Sequence, residues 1–223
     1  LVVGTGVTDD GTGTYPTVLL KIAFDINGAP SISFLPSSGN LTALGSFAGG
    51  MVASRSNGDG TQSIVLVNVN TGAIRSLAAT SQGGYFNSTF VGAGAGGTST
   101  LFMVEYVSGL GYRVRAINSA DLASPAAPPI VDFPIAAAFQ GDPVLVGGKL
   151  VYGTAAWNGT ANVISYTVND GTLAGTTTFA TPLAAENLVT TRIYDKVVVG
   201  TAVYYLFQPP FTTLDETTLV YQL

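Results

Sequence analysis

Apolar and polar residues alternate with a period of two through most of the chain. In residues 18–26, Val18, Leu20, Ile22, Phe24 and Ile26 form one wholly apolar row, while Leu19, Lys21, Ala23 and Asp25 form the other. Successive side chains of a strand point to opposite faces, so this is the pattern of a half-buried strand. The runs 63–70 (SIVLVNVN), 112–118 (YRVRAIN) and 163–169 (VISYTVN) behave in the same way. Clusters of Gly, Asn, Asp and Thr separate them, and no stretch of twelve residues holds the 3.6-residue period of a helix. Single helical turns are expected at most, at 119–123 and 182–187. The expectation is an all-β chain, folded as a single domain over residues 1–223.

A repeat emerges when strand ends are aligned. Four strands finish in a polar turn: Ile26-Asn27-Gly28, Val69-Asn70-Thr71-Gly72, Ile117-Asn118-Ser119 and Val168-Asn169-Asp170-Gly171. Gly and Asn supply the positive φ that tight hairpins need. Short strands follow at 31–35, 73–78 and 176–180, and at 130–133 beyond a Pro-rich excursion (124–129). Further strands, 50–55, 101–107, 149–155 and 196–204, precede the turn strands. Residues 149–155 and 196–202 share the string K-[LV]-V-x-G-T-A, the best internal similarity in the chain. The turn asparagines recur roughly every 45–50 residues, the period of a four-stranded propeller blade. The pattern predicts a β-propeller-like fold of about five four-stranded repeats, the last incomplete at 218–223. A β-sandwich or jelly roll is the alternative that also yields regular strands and turns.

Composition narrows the setting. Only 9% of residues are charged, against roughly 25% in an ordinary globular protein. Eight basic and thirteen acidic side chains cannot cover a domain of this size, so Thr, Ser, Gly, Asn, Ala and some apolar groups form the surface. With a mean hydropathy of +0.42, little like-charge repulsion keeps copies apart. Such a surface is expected to be covered by neighbouring subunits or by sugar. A net charge of −5 argues against nucleic acid, which needs clustered Lys and Arg. Arg113 and Arg115, the one local basic pair, share a strand face and read as solvated positions on an outward face. No run of eighteen apolar residues occurs, so no membrane insertion is expected. The chain begins at Leu1 rather than Met, as a fragment or a chain stripped of its leader would.

With no histidine and no cysteine, Ser-His-Asp, Cys-His and imidazole or thiolate metal sites are excluded. No metal or cofactor is expected. Residues 92–97 (GAGAGG) satisfy G-x-G-x-x-G, but 98–107 (TSTLFMVEYV) reads as a strand, so no helix N-terminus is available to phosphates. The loops 57–61 (NGDGT) and 9–12 (DDGT) resemble fragments of calcium loops without the carboxylates calcium wants. A glycosidase needs two carboxylates, for which Glu105, Glu186 and Glu216 are the available glutamates. Trp157, the only tryptophan, sits beside Asn158-Gly159 and is the candidate for stacking on a sugar. Three N-x-[ST] sequons, at Asn40, Asn87 and Asn158, fall in expected loops and are candidates for glycosylation.

These readings converge on a non-enzymatic extracellular or cell-surface structural protein that self-associates into a fibre, array or coat. Its partners are copies of itself, with strand-like ends at 1–7 and 218–223 able to pair with a neighbour's sheet. The alternative is a lectin-like or adhesive module that binds glycans.

Overall fold

A computed structural model describes residues 2–7, 17–35, 41–93, 97–136, 139–157, 162–180, 192–208 and 219–222. Among them are eighteen strands in five antiparallel sheets, and no α-helix. The first sheet holds β1 (Val2–Val7), β2 (Thr17–Phe24) and β3 (Pro30–Leu35). The second holds β4 (Leu41–Phe47), β5 (Gly50–Ser56), β6 (Gln62–Val67) and β7 (Ile74–Ala79). The third holds β8 (Tyr85–Ala93), β9 (Ser99–Val107), β10 (Gly111–Asn118) and β11 (Val131–Asp132). The fourth holds β12 (Phe139–Val146), β13 (Lys149–Trp157), β14 (Asn162–Asn169) and β15 (Thr176–Ala180). The fifth holds β16 (Arg192–Val199), β17 (Ala202–Gln208) and β18 (Leu219–Gln222). Within each sheet the strands follow one another as a meander.

The asparagine turns form where the sequence marks them. Asn68 Oδ1 accepts the backbone N–H groups of Asn70 and Thr71, at 2.9 and 3.1 Å, which closes the turn between β6 and β7. Gly72 and Gly171 follow with φ of 73° and 96°, values an L side chain rarely adopts. Residues Ser119–Ala123 form a short 3-10 turn capped by Asn118, whose side chain accepts from Ala120 N at 2.9 Å. The helical turn expected at 182–187 lies outside the described residues. The Pro-rich excursion is tied down by Arg75, whose guanidinium donates to the carbonyls of Leu122, Ser124 and Ala126, each at 2.7 Å.

Two expectations need correction. The segment 196–204 is not one strand: Val199 pairs with Ala202 and Gly200 has φ of 61°, so a tight turn separates β16 from β17. The shared K-[LV]-V-x-G-T-A string therefore has no common structure. Gly153-Thr154 lies inside β13, whereas Gly200-Thr201 is a hairpin turn. The pattern also misses β4, β8 and β12, the first strand of each four-stranded sheet. Each is out of register with the second strand at one point, between Ala43 and Gly45, Phe86 and Ser88, and Gln140 and Val144. One extra residue in β4 and in β8 breaks the period of two, and two extra residues interrupt the pairing of β12.

The sheets stack face on face. Val52, Ile64 and Leu77 of the second sheet pack with Leu101, Met103 and Ile117 of the third. The opposite face of the third, Phe102, Val104 and Val114, packs on Leu150 and Tyr152 of the fourth. Val151, Ile164 and Tyr166, on the far side of the fourth, meet Val203 of the fifth. The central strands β5, β6, β9 and β10 are buried on both faces over much of their length, while β4 and β8 are largely exposed; this explains near-continuous apolar runs such as Leu101–Val104. Gly92 marks the closest approach of the third and fourth sheets. A Cβ there would overlap the carbonyl oxygen of Gly148 and come within 3.0 Å of the Phe102 ring.

Gly92→Ala is expected to destabilise the fold by about 1–3 kcal/mol through overpacking. Gly45→Ala, where an added Cβ meets nothing within 4 Å, should change it by no more than about 0.5 kcal/mol. Urea denaturation of both variants checks the pair; equal losses would contradict the close approach.

Candidate functional site

The chemistry-bearing side chains gather on one face of the third sheet. Glu105 follows Leu101 and Met103 along β9 with strand spacing, so it points toward the second sheet as they do. Across the hairpin it pairs with Arg113, and Met103 pairs with Arg115. Arg115 in turn pairs with Asp132 of β11. Four charged groups thus meet. Arg113 donates through Nε and Nη2 to Glu105 Oε2, at 3.1 and 2.8 Å. Arg115 Nη1 approaches the same oxygen at 3.4 Å, and its Nε donates to Asp132 Oδ1 at 2.8 Å. Arg113 Nη1 lies 3.5 Å from Asp132 Oδ2. The backbone N–H of Ser81 donates to Glu105 Oε1 at 3.3 Å, and Arg115 Nη1 donates to the carbonyl of Ala79 at 2.8 Å. Those two bonds tie the end of the second sheet to the third.

This cluster corrects the reading of the arginines as solvated. Arg115 is buried and Arg113 half-buried, while Glu105 is 0% exposed. Both Glu105 oxygens are occupied by donors, so the carboxylate is a fastening rather than a group held ready for a substrate. Glu186 and Glu216 lie outside the described residues.

The opposite face of the third sheet carries a row of rings. Tyr85, Tyr106 and Tyr112 occupy paired positions on β8, β9 and β10. Their neighbouring centroids lie 5.1 and 5.3 Å apart. Phe139 and Tyr152 of the fourth sheet continue the row, with spacings of 5.2 and 5.4 Å. Each such contact adds about 0.5–1.5 kcal/mol beyond the area it buries. The row begins in solvent at Tyr85, 40% exposed, and ends buried at Tyr152. Hydrogen bonding to Tyr112 raises the Tyr85 phenol above its usual range. Burial raises that of Tyr152, against hydrogen bonds from Asn169 and Thr167 that lower it. Trp157 ends β13, where its backbone pairs with Asn162, and its side chain lies outside what is described.

Of the three sequons, Asn40 and Asn158 lie outside the described residues. Asn87 is not in a loop: it is exposed on β8, at the bulge between Phe86 and Ser88. The glycine run 92–97 joins the end of β8 to β9, so a strand follows it, not a helix. The loop 57–61 closes on itself. Asp59 Oδ1 accepts from Thr61 N and Oγ1, at 2.9 and 2.6 Å, which holds its carboxyl below the usual range. Residues 9–12 lie outside the described residues. A cleft of about 320 Å³ between the turns of the second sheet is lined by Gly49, Asn68, Asn70 and Arg75. Its polar groups already have partners: Asn70 Oδ1 accepts Lys21 Nζ at 2.9 Å, and Arg75 is bound to the excursion.

Exposed apolar groups gather at the two ends of the stack. On the first sheet, Ile22 pairs with Ile32, Leu20 with Phe34 and Phe24 with Pro30. Phe24, Ile32 and Phe34 are 59, 64 and 71% exposed. Lys21, on the opposite face, reaches Asn70 of the second sheet. On the fifth sheet, Val203 faces the fourth, while Val197 and Val199, paired with Tyr204 and Ala202, are exposed.

No family model and no curated protein matches the chain. Among solved structures, an α-L-arabinofuranosidase from Clostridium thermocellum ATCC 27405 is similar at 13% identity with a TM-score of 0.31, covering 91% of this chain and 75% of that one. That neighbour is an enzyme, which stands against the expectation of a non-enzymatic chain. A likeness this slight carries no argument for any activity here.

Removing the Glu105 carboxylate takes away the buried counter-charge of Arg113 and Arg115 and leaves them the half-exposed Asp132. Glu105→Gln is expected to cost about 3–5 kcal/mol. Asp132→Asn, at a side chain 46% exposed, should cost only about 0–1 kcal/mol. Chemical denaturation at neutral pH separates the two, and similar losses would refute the burial argument.

The raised Tyr152 phenol also sets a direction with pH. The fold holds it protonated, whereas the unfolded chain ionises its tyrosines near about pH 10. Its contribution is complete below that pH and is lost as pH rises toward the folded value. Stability measured from pH 8 to 11 should fall less steeply in Tyr152→Phe than in the wild type.

Proposed function

We propose that the five sheets are blades of a β-propeller-like fan, open between the first and the fifth. On this reading the chain is an extracellular structural subunit that self-associates through the faces bordering that opening. The observation that carries the reading is the pair of apolar sheet faces that stand exposed among the described residues, one bearing Phe24, Ile32 and Phe34, the other Val197 and Val199. The fan is supported by the order of the inner strands, in which β1 neighbours β4, β4 neighbours β8, β8 neighbours β12 and β12 neighbours β16. Association is supported by the shortage of charge, since a contiguous apolar face in a chain with 9% charged residues meets little electrostatic opposition.

The fifth sheet of one copy stacks on the first sheet of the next, continuing between molecules the packing that runs within one. Such a contact joins two different surfaces, so it propagates into a filament, or closes into a ring if the rotation allows. β1 pairs with β2 of its own chain, so the contact needs no exchanged strand. The glycan-binding alternative has one observation in its favour, the exposed ring of Tyr85, taken up below.

Sedimentation velocity across a concentration series, with electron microscopy at the highest concentration, tests the reading on the wild type and on Ile32→Asp/Phe34→Asp. The wild type should assemble with concentration. The variant should remain monomeric with an unchanged circular dichroism spectrum and melting temperature. A wild type monomeric throughout, with a variant several degrees less stable, would mean that the two faces cover each other within one chain.

A further inference from the structure

We propose that Asn87 carries an N-linked glycan whose first sugar rests on the free face of Tyr85. Asn87-Ser88-Thr89 is a sequon, and the structure supplies what a sequon alone lacks. β8 is an edge strand of the third sheet, and Asn87 is the extra residue of its bulge, exposed and without a partner in the ladder. A bulged edge residue can be modified without breaking sheet pairing. Two positions earlier on the same strand stands Tyr85. Its inner face stacks on Tyr106 at 5.1 Å, and Tyr106, Tyr112, Phe139 and Tyr152 back it as one rigid row. Among the described residues no second ring covers the outer face. Two strand residues span at most roughly 6–7 Å, so a sugar ring linked to Asn87 lies within reach of the Tyr85 ring, and the C–H side of a sugar is the chemistry an aromatic face accepts.

The modification forms a bond between Asn87 Nδ2 and the anomeric carbon of a diphosphate-activated oligosaccharide. The carbon's bond to the diphosphate breaks, and one Nδ2 proton is released. A glycan here leaves both end faces of the stack bare. The inference rests on the extracellular placement in the proposed function, and not on self-association.

Peptide mapping by mass spectrometry of protein purified from its native source is the test. The peptide containing Asn87 should carry a carbohydrate mass that Asn87→Gln abolishes. Enzymatic or chemical deglycosylation should lower the melting temperature of the wild type and leave that of Tyr85→Ala unchanged. An unmodified Asn87 overturns the inference, including when a free sugar binds at Tyr85 instead. A modified Asn87 with the same deglycosylation effect in both proteins overturns the stacking. Fibres formed by protein with an unmodified Asn87 would defeat this inference and leave the association reading standing.

Discussion

A sheet has two faces, and a row of sheets stacked face on face covers all of them except the outermost two. That constraint governs this molecule. The second, third and fourth sheets have neighbours on both sides, and their strands carry apolar residues on both faces, as at Leu101–Val104. Among the described residues the first and fifth sheets have one neighbour each, yet their far faces are not the polar surfaces that one-sided burial leads one to expect. Ile32, Phe34, Val197 and Val199 stand where solvated side chains would ordinarily be. Packing among the described residues therefore covers every face of the stack but these two.

Some of the few charges are drawn in between two sheets. Two of the eight basic residues and two of the thirteen acidic ones meet at Glu105, Arg113, Arg115 and Asp132. Apolar stacking fixes how far apart two sheets lie but resists sliding weakly, since one aliphatic contact replaces another at small cost. A guanidinium on a carboxylate has direction, so the cluster defines the alignment of the second sheet on the third. Withdrawing Glu105, Arg113 and Arg115 inward leaves the exterior still poorer in charge than the composition implies.

How much was legible in the sequence follows from where the chain is regular. The turn strands β2, β6, β10 and β14 alternate cleanly and end in asparagine turns, and all were readable to within a few residues. The inner strands were not, because bulges interrupt the alternation and residues such as Gly45, Asn87 and Pro143 dilute the strand signal. The ion cluster was legible in principle. A hairpin turning over Ser108, Gly109 and Leu110 sets Val107 against Gly111, and counting outward by twos puts Glu105 opposite Arg113. The arginines were seen to share a face, but which face was a question about the neighbouring sheet, and no local pattern carries that. Tyr85 was missed for a related reason: its row is assembled across two sheets from residues 67 positions apart.

The grip of Arg75 on the Pro-rich excursion has a consequence for how the sequence can drift. A guanidinium that holds only main-chain oxygens, those of Leu122, Ser124 and Ala126, is indifferent to the side chains of the segment it holds. The excursion is thus free to change its chemical character over generations while keeping its path, provided the arginine stays. A loop fixed in shape and open in content is a place where a lineage can acquire a new surface without redesigning the sheets beneath it.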